Sequence, residues 1–231
     1  MDEVKMSSLD EEMDMLKNKK ALRKEDIESK RIYMFIKRIF DILGSVVGMI
    51  VLSPVFLIVA YKIKKEDPDG PVFFSQERVG KNGELFKMYK FRSMCVDAEE
   101  KLAALLQHNE VQGAMFKMKD DPRVTKIGRF IRRTSIDELP QLLNVLKGDM
   151  SLVGPRPPLK REVNEYNEYA KQRLLVKPGC TGLWQVSGRN HVGFDEMVTM
   201  DLEYISNRSF INDIKIIIKT FIIIIMPNGA Y

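Results

Sequence analysis

Apolar residues fall into blocks of different period along the chain. The first 31 positions are mostly charged; Ser8 and Glu11 have the spacing of a capping box, and the segment reads as a solvated helix or an arm outside any core. Positions 42–61 then carry no charge at all. About 20 such residues are what a straight helix needs to cross a bilayer, and a buried core helix of that length and apolarity is unusual. The block starts too far into the chain, and lacks the small-residue cleavage site, for a signal peptide. Ser53-Pro54 lies near its middle, where proline removes a backbone hydrogen bond and kinks a helix. Lys37 and Arg38 flank one end, and Lys62, Lys64 and Lys65 the other. Basic residues favour the cytoplasmic face, so positive charge at both ends suits a segment that enters and leaves by one face. A re-entrant hairpin and a kinked straight span both fit these residues.

PVFFSQERVGKNGELFKMYKFRSM reads as two strands around a turn at Lys81-Asn82-Gly83. Period two puts Phe86, Met88, Lys90 and Arg92 on one face, which describes either a solvated edge strand or a wall facing an anion. Residues 93–112 have a polar helical pattern, and QGAMFKMKDDP reads as a loop. In VTKIGRFIRR, Ile127, Phe130 and Ile131 form an apolar stripe, while Lys126, Arg129 and Arg133 share another face with Arg132 close by. LPQLLNVLKGDM is a helix ending near Gly148. SLVGPRPP then presents Arg156 from a loop stiffened by Pro155, Pro157 and Pro158. LKREVNEYNEYAKQRLL is amphipathic, with Val163, Tyr166, Ala170 and Leu174 on the core side. KPGCTGLWQVSGRN, which holds the sole tryptophan, Trp184, reads as a ligand-facing loop. Residues 195–206 are helical, with Asp201 and Glu203 among apolar neighbours. INDIKIIIKTFIIIIM is too short, and too interrupted by Lys215 and Lys219, for a span; it suits an interfacial helix or a buried edge.

Composition narrows this picture. The 231 residues bound the chain to one domain or two small ones, and 45% hydrophobic content supports a core. A net charge of +5 suits an anionic partner: nucleic acid, a phospholipid surface or a phosphorylated small molecule. The apolar block at 42–61 argues against nucleic acid. Cys95 and Cys180 match neither a zinc nor a disulfide pattern, which makes a reducing setting the default, and His108 and His191 have no metal-ligand spacing.

The candidate chemistry lies in TSIDELPQLLNVLKGDM. Ser135 and Glu138 have capping-box spacing, but Pro140 would then sit five positions inside the helix, at a cost of about 3 kcal/mol against about 1 kcal/mol for the cap. Taking Asp137 as the N-cap puts Pro140 in the first turn, where its missing N–H costs nothing. A helix N-terminus favours the anion of Asp137 and would equally favour a phosphate. A plain cap explains Asp137. Arg132, Arg133 and Arg156 nearby also suit phosphoryl transfer, in which an aspartate attacks phosphorus and Glu138 anchors Mg²⁺.

The ordered motifs KRIFDILGS, LSPVFLI, FFSQERVGKNGELFKMYKFRSM, RRTSIDELPQLLNVLKGDMSLVGPRP, VKPGCTGLWQVSGRN and MDLEYI resemble the small monotopic phosphoglycosyl transferases, the bacterial sugar transferase family. The resemblance implies transfer of a phospho-sugar from a UDP-sugar to undecaprenyl phosphate, with Mg²⁺, at the cytoplasmic face of the bacterial inner membrane, to start capsule, exopolysaccharide or O-antigen synthesis. It implies a re-entrant helix broken at Ser53-Pro54, Asp137 as nucleophile, and Glu138 beside it at the magnesium site. It also implies that Lys90, Arg132 and Arg156 hold phosphates or the active-site frame, that Asp201 is a further family acid, and that the Trp184–Asn190 loop, with Gln185 and Arg189, lies near nucleotide and sugar; Arg92, on the strand face of Lys90, joins these substrate-binding candidates. Leu183-Trp184-Gln185 departs slightly from the forms of many relatives, which touches sugar preference; a hexose such as galactose or glucose is favoured.

The expected architecture is thus α+β and mostly helical: a charged arm at 1–36, a re-entrant membrane helix at 37–65, and a cytosolic catalytic domain at 66–231 with interfacial helices and a short β-hairpin. The extra transmembrane helices and further domain of the long forms are not expected, and a homo-oligomer is left open. The rival reading is a membrane-bound scaffold or regulator of polysaccharide assembly that has lost activity, against which the intact Asp137-Glu138 pair argues.

Overall fold

The computed structural model describes residues 22–105, 118, 121–187 and 193–225. A short helix α1 (Lys24–Glu28) leads into α2 (Arg31–Val51), which meets α3 (Ser53–Glu66) at a bend of 59°. Among the described residues no single helix is long and apolar enough to cross a membrane; only taken together do the two helices of this bent pair reach that length and apolar composition. Pro54 stands in the first turn of α3, where its lack of an N–H is tolerated, and Ser53 Oγ donates to the Ile50 carbonyl at 2.8 Å.

The bent pair is inside-out. The buried residues of α2 are Asp41 and Ser45, while Phe35, Leu43, Val47 and Ile50 face outward. On α3, Leu57, Ile58 and Tyr61 are exposed, while Val59 and Ile63 pack with Phe91 and Ile131. A contiguous exposed apolar face of this size marks an interaction surface.

The expected hairpin is present. Strands β1 (Phe73–Val79) and β2 (Leu85–Phe91) pair antiparallel, and the turn uses positive φ at Asn82 and Gly83. After α4 (Ala98–Leu105), α5 (Lys126–Arg133) begins at Thr125, whose Oγ1 accepts from Gly128 N at 3.0 Å. A 3-10 turn (Ile136–Glu138) then joins α5 to α6 (Gln141–Lys147), which stops at Gly148 with φ 92°, a left-handed conformation that suits glycine.

Three expectations are corrected. The segment after Leu159 is not one helix. It divides into α7 (Lys160–Asn164), α8 (Glu168–Lys171) and a 3-10 turn (Gln172–Leu175), because Asn167 restarts the chain by capping Ala170 N at 2.8 Å. Residues 177–187 of the expected loop are not simply a loop, and 188–190 lie outside the described residues. Strand β4 (Gly179–Thr181) pairs parallel with β3 (Ser151–Val153), and α9 (Leu183–Ser187) follows. A Cβ on Gly179 would lie 2.0 Å from Gly154 N, so that pairing requires glycine. Finally, the first 31 residues are not wholly outside the core: Ile27 is buried with Tyr166, Val198 and Leu202. Ser8 and Glu11 lie outside the described residues.

The last helices, α10 (Phe194–Asn207) and α11 (Phe210–Ile225), close the larger core, with Ile205 and Ile216 buried in it. Ile211, Ile218, Phe221 and Ile222 remain exposed on α11. Helix α2 is bound to this body by polar groups. Lys37 Nζ and Tyr33 OH reach Asp213 at 2.8 and 2.9 Å, and Asp41 accepts from Ser151 Oγ and Leu152 N, both at 3.0 Å.

Asn144, fully buried in α6, binds the open edge of β2. Its Oδ1 accepts from Tyr89 N at 3.0 Å, and its Nδ2 donates to Lys87 O at 2.7 Å. The amide thus stands in for a third strand and fixes α6 against the hairpin. Replacing it by alanine leaves two partly buried backbone groups, Tyr89 N and Lys87 O, unpaired, at up to roughly 1–3 kcal/mol each. Asn144→Ala should therefore lose about 2–4 kcal/mol in chemical denaturation; a loss below about 1 kcal/mol would show that the amide is not the fastening.

Candidate active site

The 3-10 turn Ile136–Glu138 follows directly on α5. Ser135, with φ 56°, reverses the chain in the left-handed region that a non-glycine residue adopts only at a cost. This strained residue immediately precedes the two acids. Asp137 is buried (8% exposed), whereas Glu138 is 45% exposed at its side chain. Lys90 Nζ, on β2, donates to Glu138 Oε1 at 2.7 Å.

Asp137 is not the N-cap of α6. The helix begins at Gln141 with Pro140 in the cap position, and no side chain caps it. Leu139 and Pro140 already have helical φ and ψ, so the 3-10 turn runs into the helix without the extended residue that a side-chain cap needs. Pro140 still occupies a position where its missing N–H is harmless. What acts on Asp137 is burial, which pushes its carboxyl up to about 6; Lys90 opposes this, Glu138 adds to it, and Arg132 opposes it. Asp137, Glu138, Lys90 and Arg132 therefore form one electrostatic group.

The other candidates are distributed. Arg156 lies beside Arg78, whose guanidinium feels both its charge and that of Glu138. Arg92 is engaged away from the acids, with Nη1 on Asp67 Oδ2 and Nη2 on Asp67 O. Asp201 is fully buried; its Oδ2 accepts from Arg173 Nε at 2.7 Å, and its Oδ1 has no hydrogen-bond partner among the described residues. Trp184 and Gln185 stand on α9, beside the Gly154–Gly182 approach; a Cβ on Gly182 would lie 2.6 Å from Gln185 Oε1. Arg189 lies outside the described residues. Sequence reasoning passed over Arg78, Asn144 and Glu66. Arg78 was detectable in principle, because extending the turn at Asn82-Gly83 by strict pairing sets it opposite Phe86, on the face of Lys90.

Among the described residues no three acidic, histidine or cysteine side chains converge. Mg²⁺ commonly takes one or two carboxylates and completes its shell with phosphate and water oxygens, so adjacent Asp137 and Glu138 fit that ion.

Residues 32–227 match the family described as bacterial sugar transferase. The chain belongs to the bacterial sugar transferase family. This family member is 52% identical over 202 residues to the galactosyl transferase CpsE of Streptococcus agalactiae serotype III, covering 87% of this chain and 44% of that protein. It is 47% identical over 214 residues to the undecaprenyl-phosphate galactose phosphotransferase of Salmonella typhimurium, covering 91% of this chain and 44% of that one. The exopolysaccharide production protein ExoY of Rhizobium meliloti is 41% identical over 199 residues, covering 84% of this chain and 88% of ExoY. The chain thus spans less than half the length of CpsE and of the Salmonella protein, and most of the length of ExoY.

Burial of Asp137 has a measurable consequence. Its native value lies near 6, above the usual aspartate value near 4. Below about pH 4 both folded and unfolded chains hold the neutral acid; as pH rises through 6, the unfolded chain ionises first and the native state loses stability, by up to about 3 kcal/mol. In metal-free buffer, Asp137→Asn should match wild type near pH 4 and unfold at higher denaturant at pH 8. A variant less stable than wild type at pH 8 would refute this electrostatic account.

Proposed function

We propose that this family member is an undecaprenyl-phosphate sugar-1-phosphate transferase acting on a UDP-hexose, galactose first among candidates. The observation that carries this reading is buried Asp137, on a strained turn beside a Lys90-paired Glu138 and Arg132. Its similarity to proteins named undecaprenyl-phosphate galactose phosphotransferase and UDP-galactose-lipid carrier transferase supports the donor and acceptor classes.

The reaction proceeds in two displacements. A carboxylate oxygen of Asp137 attacks the β-phosphorus of the UDP-sugar, the bond to the bridging oxygen breaks, and UMP leaves. An oxygen of undecaprenyl phosphate then attacks the same phosphorus, and the bond to Asp137 breaks. The first approach brings like charges together, at roughly 4 kcal/mol for unit charges about 4 Å apart at an effective dielectric of 20. Uncompensated, that is on the order of a thousandfold in rate. Lys90 and Arg132 offset it. Mg²⁺ held by Asp137 and Glu138 would neutralise diphosphate charge. Burial keeps water from Asp137 and raises its basicity, which favours attack while requiring the ionised form.

In this reading the bent pair is a re-entrant hairpin at the cytoplasmic face of the bacterial inner membrane. Both of its ends touch the same folded body: Lys37 and Arg38 on α11 and α6, Glu66 on α5. Its outer faces are apolar. A lipid-borne acceptor can then reach Asp137 from the bilayer while the soluble donor arrives from water. The product would start a capsule or exopolysaccharide chain.

The test is UMP release in detergent or nanodiscs with undecaprenyl phosphate, Mg²⁺ and a panel of UDP-sugars. UDP-galactose should turn over, and Asp137→Asn should lose at least a thousandfold. Lys90→Met should slow turnover and move the acidic limb of the pH profile upward, because Lys90 holds the Asp137 carboxyl down. Undiminished turnover by Asp137→Asn would remove it as nucleophile; no UMP from any UDP-sugar would leave the scaffold reading.

A further inference from the structure

The hairpin face that carries Lys90 also carries a buried arginine. In the register of β1 and β2, Phe74 faces Lys90, Gln76 faces Met88 and Arg78 faces Phe86, so these side chains leave the sheet on one side. Arg78 is 5% exposed. Its Nη1 donates to Pro157 O at 3.1 Å and its Nη2 to Gln76 Oε1 at 2.6 Å. Both acceptors are neutral. Its Nε has no partner, and no carboxylate forms an ion pair with Arg78 among the described residues.

A second cation adjoins it. Arg156 precedes Pro157, the residue Arg78 holds, and is only partly buried. Val79 N also donates to Pro158 O at 2.9 Å, so β1 fixes the proline-flanked loop through two consecutive residues. Burial first, then the charge of Arg156, pushes Arg78 down to about 10; Glu162 and Glu138 pull the other way. Those two acids have other engagements: Glu162 accepts from Leu159 N at 2.9 Å, and Glu138 holds Lys90.

A clamp on the Pro157 carbonyl needs only a neutral donor. Burying a full charge for that purpose, beside a like charge, is unfavourable unless an anion joins the pair. Guanidinium groups suit phosphate because their planar N–H forks match its oxygens. Arg156 is the phosphate-binding candidate that the family resemblance already gives; we propose that buried Arg78, which holds the Pro157 carbonyl next to it, is the positioning residue of Arg156 and adds a second charge to the subsite that takes the diphosphate of the nucleotide donor. Gln76 fixes the plane of Arg78. This rests on the donor reading given above, and it assigns a role to Gln76 and Arg78 that the acids alone do not require.

Binding of UDP to the full chain in nanodiscs, measured by calorimetry without acceptor, tests it. Arg78→Gln should weaken UDP at least tenfold at an unchanged melting temperature, and Arg78→Lys should recover part of the loss. The donor KM should rise with the acceptor KM unchanged, and the salt dependence of UDP binding should become shallower. A folded Arg78→Gln protein within twofold of wild type for UDP would overturn the subsite. Should Arg78→Gln fail to fold, Arg156→Gln, at a partly exposed position, carries the same requirement and the same refutation. Inorganic pyrophosphate separates the two claims: if wild type binds it in an Arg78-dependent way but ignores UDP, the subsite stands and the donor reading falls. If wild type binds neither, the subsite is overturned.

Discussion

Helix ends cannot stay unsatisfied, and here the bent apolar pair satisfies them for the two helices that meet at Asp137. Arg38, on α2, donates to the last carbonyls of α6, Val145 O at 2.6 Å and Leu146 O at 2.9 Å. Glu66, at the end of α3, accepts from the first amides of α5, Lys126 N at 2.8 Å and Ile127 N at 2.9 Å. Each charge has the sign that complements the helix dipole it meets. The far ends of α5 and α6 are thus fixed to the two arms of the bent pair, and their near ends close on the turn Ile136–Glu138. Asn144 then sets α6 against β2, which brings Lys90 to Glu138. The bent apolar pair and the acidic turn are one framework.

That framework lets the site carry unfavourable electrostatics. Asp137 is buried against its ionisation, Ser135 is held in a left-handed conformation, and Arg78 is buried without a carboxylate in contact. Strained or unpaired groups of this kind persist where the surrounding packing over-determines them, and they concentrate at functional sites. The larger core supplies rigidity of another kind. Arg173 joins Asp201, the Tyr166 hydroxyl at 2.5 Å and the Arg156 carbonyl at 3.3 Å, so the loop bearing Arg156 is tied to α10 from below.

Much of this was legible in the residues. Lysines at both ends of an uncharged run, with Pro54 inside it, mark a bent apolar pair, and Asn82-Gly83 marks the hairpin. Pro140 rightly excluded a cap at Ser135. What local pattern could not reveal depends on distant partners. The carboxylates that occupy Arg92 and Lys37 are those of Asp67 and Asp213, and the cation that occupies Asp201 is Arg173. Parallel pairing of β3 with β4 joins segments too short to show a period of two, so residues 177–190 look like loop in sequence. Asn144 was invisible for the same reason: an asparagine within a helix carries no sign that it will complete a strand edge.

The central claim is that Asp137 itself carries the phospho-sugar. Intact-protein and peptide mass spectrometry after incubation with UDP-galactose and Mg²⁺, without undecaprenyl phosphate, tests it most directly. The account predicts an adduct of one hexose phosphate on the peptide containing Asp137, absent from Asp137→Asn and discharged when undecaprenyl phosphate is added. UMP release and lipid-linked product without any such adduct, or an adduct on another residue, would contradict it.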